Sequence, residues 1–501
     1  MPRWAGGFGI ANGPMEVCVN VLIVLGILGC KSGNPETGVD SPTDSPAGDS
    51  QTESGTQQDT DDPVGTLTDA FTLTGAAPKN VVILSLDTLR WDRMSVAGYT
   101  DDAGNATTPT IDTMLADGVL LSEHRSCSSW TFPSFLCALA GMDQTTLGFW
   151  PTNISGEDPG KAPDSLPVMA EYFQSAGYHT MLSSNSGFMG QAGNLGQGFD
   201  EGEGEFPSES NDFKNAADVV GDAISMLDAH RASNPDQPWM LHAHIIDPHM
   251  PYNPPESYLS GLTSLEATTY DLTTEAGTQE LWSDYESLSD VAQVLNMAHL
   301  RVRYDAESQY TDDQVGRLLG HLGDIDAWED TLLVFFIDHG EEFWEHQNFN
   351  HGYTAYEEVT RIAAGFYQPG NLEPIHWDGL TSHEDLLPSL FTLLGWAPES
   401  YFTGWAVGSE PRSHLFHLVY RHERTVQAIN TGTDKLIARW DMEADKMGYF
   451  SIEDDPFEQV DLYDESNARV QELWGLLCDE IERLAAHEKR ATPILPDLCD
   501  D

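Results

Sequence analysis

NVVILSLD, residues 80–87, is a short apolar run stopped by an acid. A continuous run, without polar alternation, is the pattern of a strand buried on both faces, as in parallel sheets covered by helices. Similar runs recur at HTMLSS (179–184), WMLHAHII (239–246) and TLLVFFI (331–337). Helical patterns separate them: PTIDTMLADG (109–118), SLPVMAEYFQSAG (165–177), NAADVVGDAISMLDAHRA (215–232) and a long stretch through 304–322. Several end at Gly, a common helix C-terminal signal. Strands alternating with helices predict an α/β fold with a mostly parallel central sheet flanked by helices.

After the helix HEDLLPSLFTLLG (383–395) the rhythm changes. HLFHLVY (414–420), TVQAINT (425–431), KLIARW (435–440) and YFSIE (449–453) predict a small antiparallel sheet, followed by a helix over about 466–489. The expected organisation is a main α/β domain over 78–410 and a C-terminal α+β subdomain over 411–501.

The formal charge of -58 excludes nucleic acid as a partner, because phosphate contacts require clustered Lys and Arg. Near the N-terminus, VCVNVLIVLGILG (17–29) is too short for a comfortable membrane span and has the length of a signal-peptide core. ILGC (27–30) resembles a bacterial lipobox, which predicts export and a lipid anchor on Cys30 as the sole membrane attachment. Residues 31–77 are poor in large apolar side chains and predict a disordered linker. Export permits disulfides. Cys478 and Cys499 can clip the tail to the last helix, whereas Cys127 and Cys137 are expected as buried thiols.

Three of the apolar runs stop at acids or imidazoles: Asp87, then Asp247 and His249, then Asp338 and His339. The carboxyl ends of parallel strands form the ligand crevice of an α/β sheet, so these distant residues are expected to converge. Each taken singly is an ordinary cap or loop residue. Together, two carboxylates and an imidazole suit a divalent cation. Thr131, in SSWTFPSFLCALAG (128–141), opens a helical stretch, where free backbone N–H groups favour an alkoxide and an anion. A Thr before a helix is by default an N-cap.

NVVILSLDTLRWDRMSVAGY (80–99), TPTIDTMLADGVLL (108–121) and SSWTFPSFLCALAGM (128–142) resemble the start of sulfatase-type enzymes of the alkaline phosphatase superfamily. The resemblance continues in family order through HIIDPHMPY (244–252), FFIDHGEEFWEHQNFNHG (335–352) and EDDPFEQVDL (453–462). It implies an exported metal-dependent hydrolase or transferase of phosphate or sulfate esters. Asp87, Asp338, His339 and Thr131 would hold one divalent ion (Ca, Mn, Zn or Mg), with Thr131 as nucleophile. His249 would contact the substrate anion or leaving group, His351 stands where many sulfatases have a Lys, and His346 lies close by.

Two departures from that family bear on the chemistry. The usual sulfatase has Cys or Ser at the position of Thr131, oxidised to formylglycine, and Arg at the position of Phe135. Thr cannot become that aldehyde, because its β-carbon carries a methyl. Thr88 stands where many members supply a second Asp. The pattern is similar to Thr-nucleophile phosphoglycerol and phosphoethanolamine transferases, which favours phosphoesters over sulfate esters. The expected substrate is a small-molecule, headgroup or glycan ester. An inert surface protein that keeps the fold for binding is the competing expectation.

Overall fold

Every residue of β1 (Asn80–Leu86) is buried, and its side chains divide by parity between two cores. Val81 and Ile83 pack with Phe132, Phe135 and Leu136 on one face of the sheet. Val82, Leu84 and Leu86 pack on the other, with Val219, Val220 and Leu227 of the helix Ala216–Ser233 and Leu318 of the helix Asp290–Asp324. That two-sided burial is why the run lacks polar alternation.

The computed structural model describes residues 73–144, 161–190, 192–202, 214–421, 424–440, 446–485 and 499. The signal and lipobox expectations (1–30) and nearly all of the linker expectation (31–77) lie outside those residues. Among the described residues, no helix is long and apolar enough to cross a membrane.

The central sheet also contains β2 (Val119–Leu121), β3 (His179–Ser184), β4 (Trp239–Ile245), β5 (Thr331–Ile337), β6 (Ala364–Tyr367) and β7 (Ile375–Trp377). Their order is β7-β2-β6-β5-β1-β4-β3. β5, β1, β4 and β3 run parallel, and β6 is antiparallel to both its neighbours. The predicted mostly parallel sheet is therefore present. Its three short strands β2, β6 and β7 have no counterpart in the sequence reading, because runs of three or four residues carry too little periodicity.

The C-terminal sheet is antiparallel throughout, with β8 (Leu415–Arg421), β9 (Arg424–Asn430), β10 (Asp434–Trp440) and β11 (Lys446–Ser451) in sequence order. Leu473 and Leu477 of the helix Ala468–Ala485 pack on it against Ile429 and Leu436. Buried Lys435 of β10 reaches from this sheet to Glu357 at 2.9 Å and Glu458 at 3.2 Å, and Arg125 reaches Glu357 at 2.8 Å. The charges of this cluster compensate one another, so removing one member would leave a buried charge unpaired.

The cysteine expectation needs one correction. Cys127 and Cys137 are not thiols but a disulfide, with Cα atoms 6.7 Å apart. The segment before the helix Thr131–Ala140 doubles back along its first turns, which brings Cys127 beside Cys137 despite their close spacing in sequence. Cys478 and Cys499 are bonded as expected.

Candidate active site

β1 and β5 are adjacent and in register, Leu86 opposite Ile337, so the residues that follow them emerge side by side. These are Asp87 and Asp338. A ligand atom from each of Asp87, Asp338 and His339 lies within 4.8 Å of the others, and all three residues are buried. Thr131 joins them as the first residue of its helix. Trp130, not Thr131, occupies the cap position, and Thr131 Oγ1 stands 3.3 Å from His339 Nε2. Its hydroxyl is also close enough to both carboxylates to favour their ionised forms. The ordinary N-cap role of such a Thr is thus not the one it plays here.

The protonation pattern of this cluster calls for a cation. His339 Nδ1 lies 2.8 Å from the Gly340 carbonyl oxygen, which only accepts, so Nδ1 carries the proton. Nε2 is left with a lone pair, facing Asp338 Oδ2 at 3.4 Å and Asp87 Oδ1 at 3.7 Å. Asp87 Oδ1 and Asp338 Oδ2 are buried without a hydrogen-bond partner among the described residues. Burial, with the Asp338 and Glu341 carboxylates nearby, holds Asp87 well above the usual carboxylate range. Burial raises Asp338 as well, and it pushes His339 well below the usual imidazole value. Two carboxylate oxygens, a hydroxyl and an imidazole lone pair converging on one buried point fit a hard or borderline divalent ion.

His351 and His249 extend the cluster. The His351 ring centroid is 4.3 Å from that of His339 and 5.1 Å from that of His249. His249 Nδ1 donates to the Met250 carbonyl at 2.7 Å, and His351 Nδ1 faces Glu341 Oε1 at 3.1 Å. Burial lowers the pKa of both imidazoles. His346 does not join them. Its Nδ1 is 2.5 Å from Glu358 Oε1, its Nε2 is 3.0 Å from the Glu458 carbonyl oxygen, and it stacks on Tyr356. Burial alone would depress it, but Glu358 and the Glu458 carbonyl outweigh that and push it up to about 9.

Two residues of the site escaped the sequence reading. Glu341 is buried, accepts from Tyr252 Oη at 3.1 Å, and burial pushes it up to about 7. Its place directly after DHG was the available signal. Arg421 arrives from β8, some seventy residues beyond His351, and donates from Nη1 to the His351 carbonyl at 3.0 Å. Its guanidinium lies over Trp130 and Tyr353, with centroid distances of 5.6 and 5.5 Å. No local pattern announces it.

The Sulfatase family model matches residues 79–396, more than half of the chain, and spans all of these residues except Arg421 and Glu458. The chain belongs to the sulfatase family.

It is 25% identical over 328 residues to the uncharacterized sulfatase YidJ of Escherichia coli (strain K12), covering 57% of this chain and 62% of that protein. It is 24% identical over 280 residues to an arylsulfatase of Clostridium perfringens (strain 13 / Type A), covering 53% and 57% respectively. The chain thus spans less than two thirds of the length of these two relatives. The structure of BT4656 in complex with its substrate D-glucosamine-2-N,6-O-disulfate superposes with a TM-score of 0.65 at 18% identity, over 82% of this chain and 99% of that one. The phosphonate monoester hydrolase of Agrobacterium radiobacter gives a TM-score of 0.60 at 17% identity, over 82% and 95%. At such identities the likeness is one of fold. In this sulfatase-family chain, Phe135 is buried with its ring edge-on to His244 at 4.7 Å, so an aromatic fills the place the resemblance gives to an Arg.

Proposed function

We propose that this chain is a one-metal ester hydrolase whose nucleophile is Thr131, with phosphate or phosphonate esters as its preferred substrates. The observation that carries this reading is the Thr131 hydroxyl itself, set at a helix start against His339, Asp87 and Asp338. Asp87, Asp338, His339 and Thr131 would hold the divalent ion, which when bound supplies Lewis acidity and lowers the pKa of the Thr131 hydroxyl.

The chain's own residues account for the rest. Arg421, bonded to the His351 carbonyl, orients an anionic ester through its guanidinium. Because His249 Nδ1 and His351 Nδ1 are committed to Met250 and Glu341, Nε2 is the atom of each ring that exchanges a proton. Burial keeps both rings neutral at rest, so they begin as bases. Glu341 beside His351 then steadies the imidazolium that forms. A neutral imidazole takes the Thr131 hydroxyl proton as Oγ1 bonds to phosphorus and the ester P–O bond breaks, and the departing alcohol takes that proton from the imidazolium so formed. Water, deprotonated by an imidazole, then breaks the bond between phosphorus and Thr131, restoring the hydroxyl.

A threonyl phosphoester is open to that second in-line attack. A threonyl sulfate lacks the hemiacetal route by which formylglycine expels sulfate, and Thr131 cannot form the aldehyde. The second reading, sulfate ester hydrolysis, is favoured by the names of the relatives, including an arylsulfatase. A panel of aryl sulfate, phosphate monoester, phosphodiester and phosphonate monoester, each with Mn, Zn, Ca or Mg, separates the two. Turnover of the sulfate alone would overturn the phosphoester reading.

Export as a lipoprotein anchored at Cys30 belongs to the same proposal. Two disulfides suit an oxidising compartment, and ILGC supplies the modification site. Metabolic labelling with a fatty acid should mark the wild type and not Cys30→Ser; equal labelling of both would remove the anchor.

A further inference from the structure

Beyond the Asp87 cluster, a second group of donors converges on one point. Glu342 begins a two-residue strand that pairs with Phe349–Asn350, His346 lies in the turn between them, and Glu358 belongs to the helix Glu357–Thr360. Ligand atoms from these three lie within 4.8 Å of one another. Two of the three are held from behind. Glu342 Oε2 accepts from Asn348 Nδ2 at 2.8 Å and Thr354 Oγ1 at 3.0 Å, while its Oε1 is buried with no partner among the described residues. His346 Nε2 donates to the Glu458 carbonyl at 3.0 Å, and its ring is stacked on Tyr356 with centroids 3.5 Å apart. That leaves Nδ1 turned to Glu358. Glu358 also lines a cavity bounded by Trp91, Tyr99, Arg361 and Phe457.

We propose that Glu342, His346 and Glu358 form a second divalent-cation site, separate from the Asp87 cluster. Two buried carboxylates and one imidazole, with Glu342 Oε1 left without a partner among the described residues, meet as ligands would around a divalent ion. An imidazole whose far nitrogen donates to a backbone carbonyl, beside a carboxylate whose far oxygen is fixed by two donors, has the outer-shell order of a metal site. One nitrogen and two carboxylate oxygens select a borderline d-block ion such as Zn(II) or Mn(II) over Ca(II). On binding, the ion takes the place of the proton shared by His346 Nδ1 and Glu358 and of the proton on Glu342 where that carboxyl is protonated, and these protons leave to solvent. The site would tie the hairpin that precedes His351 to the helix Glu357–Thr360, so its role is to brace the loop and not to carry the reaction.

The test uses the full chain, stripped with a chelator and titrated with Zn(II), with bound metal counted after equilibrium dialysis. The wild type should hold two equivalents, Glu342→Gln one, Asp338→Asn one, and the double variant none. Zn(II) should raise the melting temperature of Asp338→Asn, which keeps only the second site, and not that of the double variant. If Glu342→Gln fails to fold by circular dichroism, Glu358→Gln carries the same comparison. Equal metal content in wild type and the folded Glu variant, or no Zn(II) shift in Asp338→Asn, would overturn the proposal. Loss of metal confined to Asp338→Asn would do so too, while leaving the first site standing.

Discussion

His339 Nε2 stands 3.4 Å from Asp338 Oδ2 because its Nδ1 is tied to the carbonyl of the next residue, Gly340, at 2.8 Å. A lone pair facing a buried carboxylate is repulsive unless a proton or a metal ion lies between them. Replacing Asp338 by Asn or His339 by Ala is therefore expected to weaken metal binding at this site by at least about 100-fold, since even outer-shell partners of ligands matter by 10–100-fold. Activity should fall in parallel and return only partly with excess metal. Metal titration followed by turnover checks both.

The Cys127–Cys137 disulfide closes a short loop around Thr131. A loop of that size stabilises by about 2–3 kcal/mol in the chain-entropy picture. It also fixes where the helix starts. Reduction, or Cys127→Ser with Cys137→Ser, should lower the melting temperature and cut kcat by roughly 10–100-fold, the scale of a small misplacement of a reacting group. A kcat that survives reduction unchanged in a folded protein would show that the loop holds Thr131 without the bond.

Arg421 contributes charge to a pocket whose histidines are kept neutral by burial. A charge-assisted contact contributes about 1.5–3 kcal/mol. Arg421→Ala should raise KM by roughly 10–100-fold with kcat changed only a few-fold, the pattern of lost uniform binding. Arg421→Lys should recover part of it. A fall in kcat at constant KM would instead place Arg421 in the transition state alone.

The metal-free chain should lose stability as pH rises from about 6.5 to about 9. Burial lifts Glu341 to about 7, and burial with Glu358 nearby lifts Glu342 to about 8. His346 rises to about 9, against its burial, through Glu358 and the Glu458 carbonyl. For all three the folded state binds more protons than the unfolded state across that window, so the slope of stability against pH is negative. His249, His339 and His351, whose pKa values are lowered, act with the opposite sign below their unfolded value near 6.5 and leave the window above it unaffected. Melting temperatures of chelated protein at several pH values should fall across the window, and saturating metal should flatten or reverse the trend.

Much of this arrangement is legible in the sequence. The strands β1, β3, β4 and β5 were readable because two-sided burial leaves continuous apolar runs, and Asp87, Asp338 and His339 because polar residues at strand ends interrupt them. Thr131 drew its meaning from those distant partners. Illegible were contacts made by chain reversal or by a remote element: the disulfide beside Thr131, the short strand β6 inserted antiparallel between β2 and β5, and Arg421 delivered by the second sheet. His346, five residues before His351 in sequence, has Glu358 as its carboxylate partner, whereas His351 has Glu341, a difference that spacing in sequence does not show.

The most direct test of Thr131 as nucleophile is to trap the covalent adduct. Wild-type protein, mixed with an activated phosphate or phosphonate monoester and quenched in acid, should yield a single modified peptide with the adduct on Thr131 by mass spectrometry. Thr131→Ala should give none and lose at least about 1,000-fold in kcat/KM, while Thr131→Ser retains measurable turnover. Undiminished turnover by Thr131→Ala, or an adduct on another residue, would contradict the account.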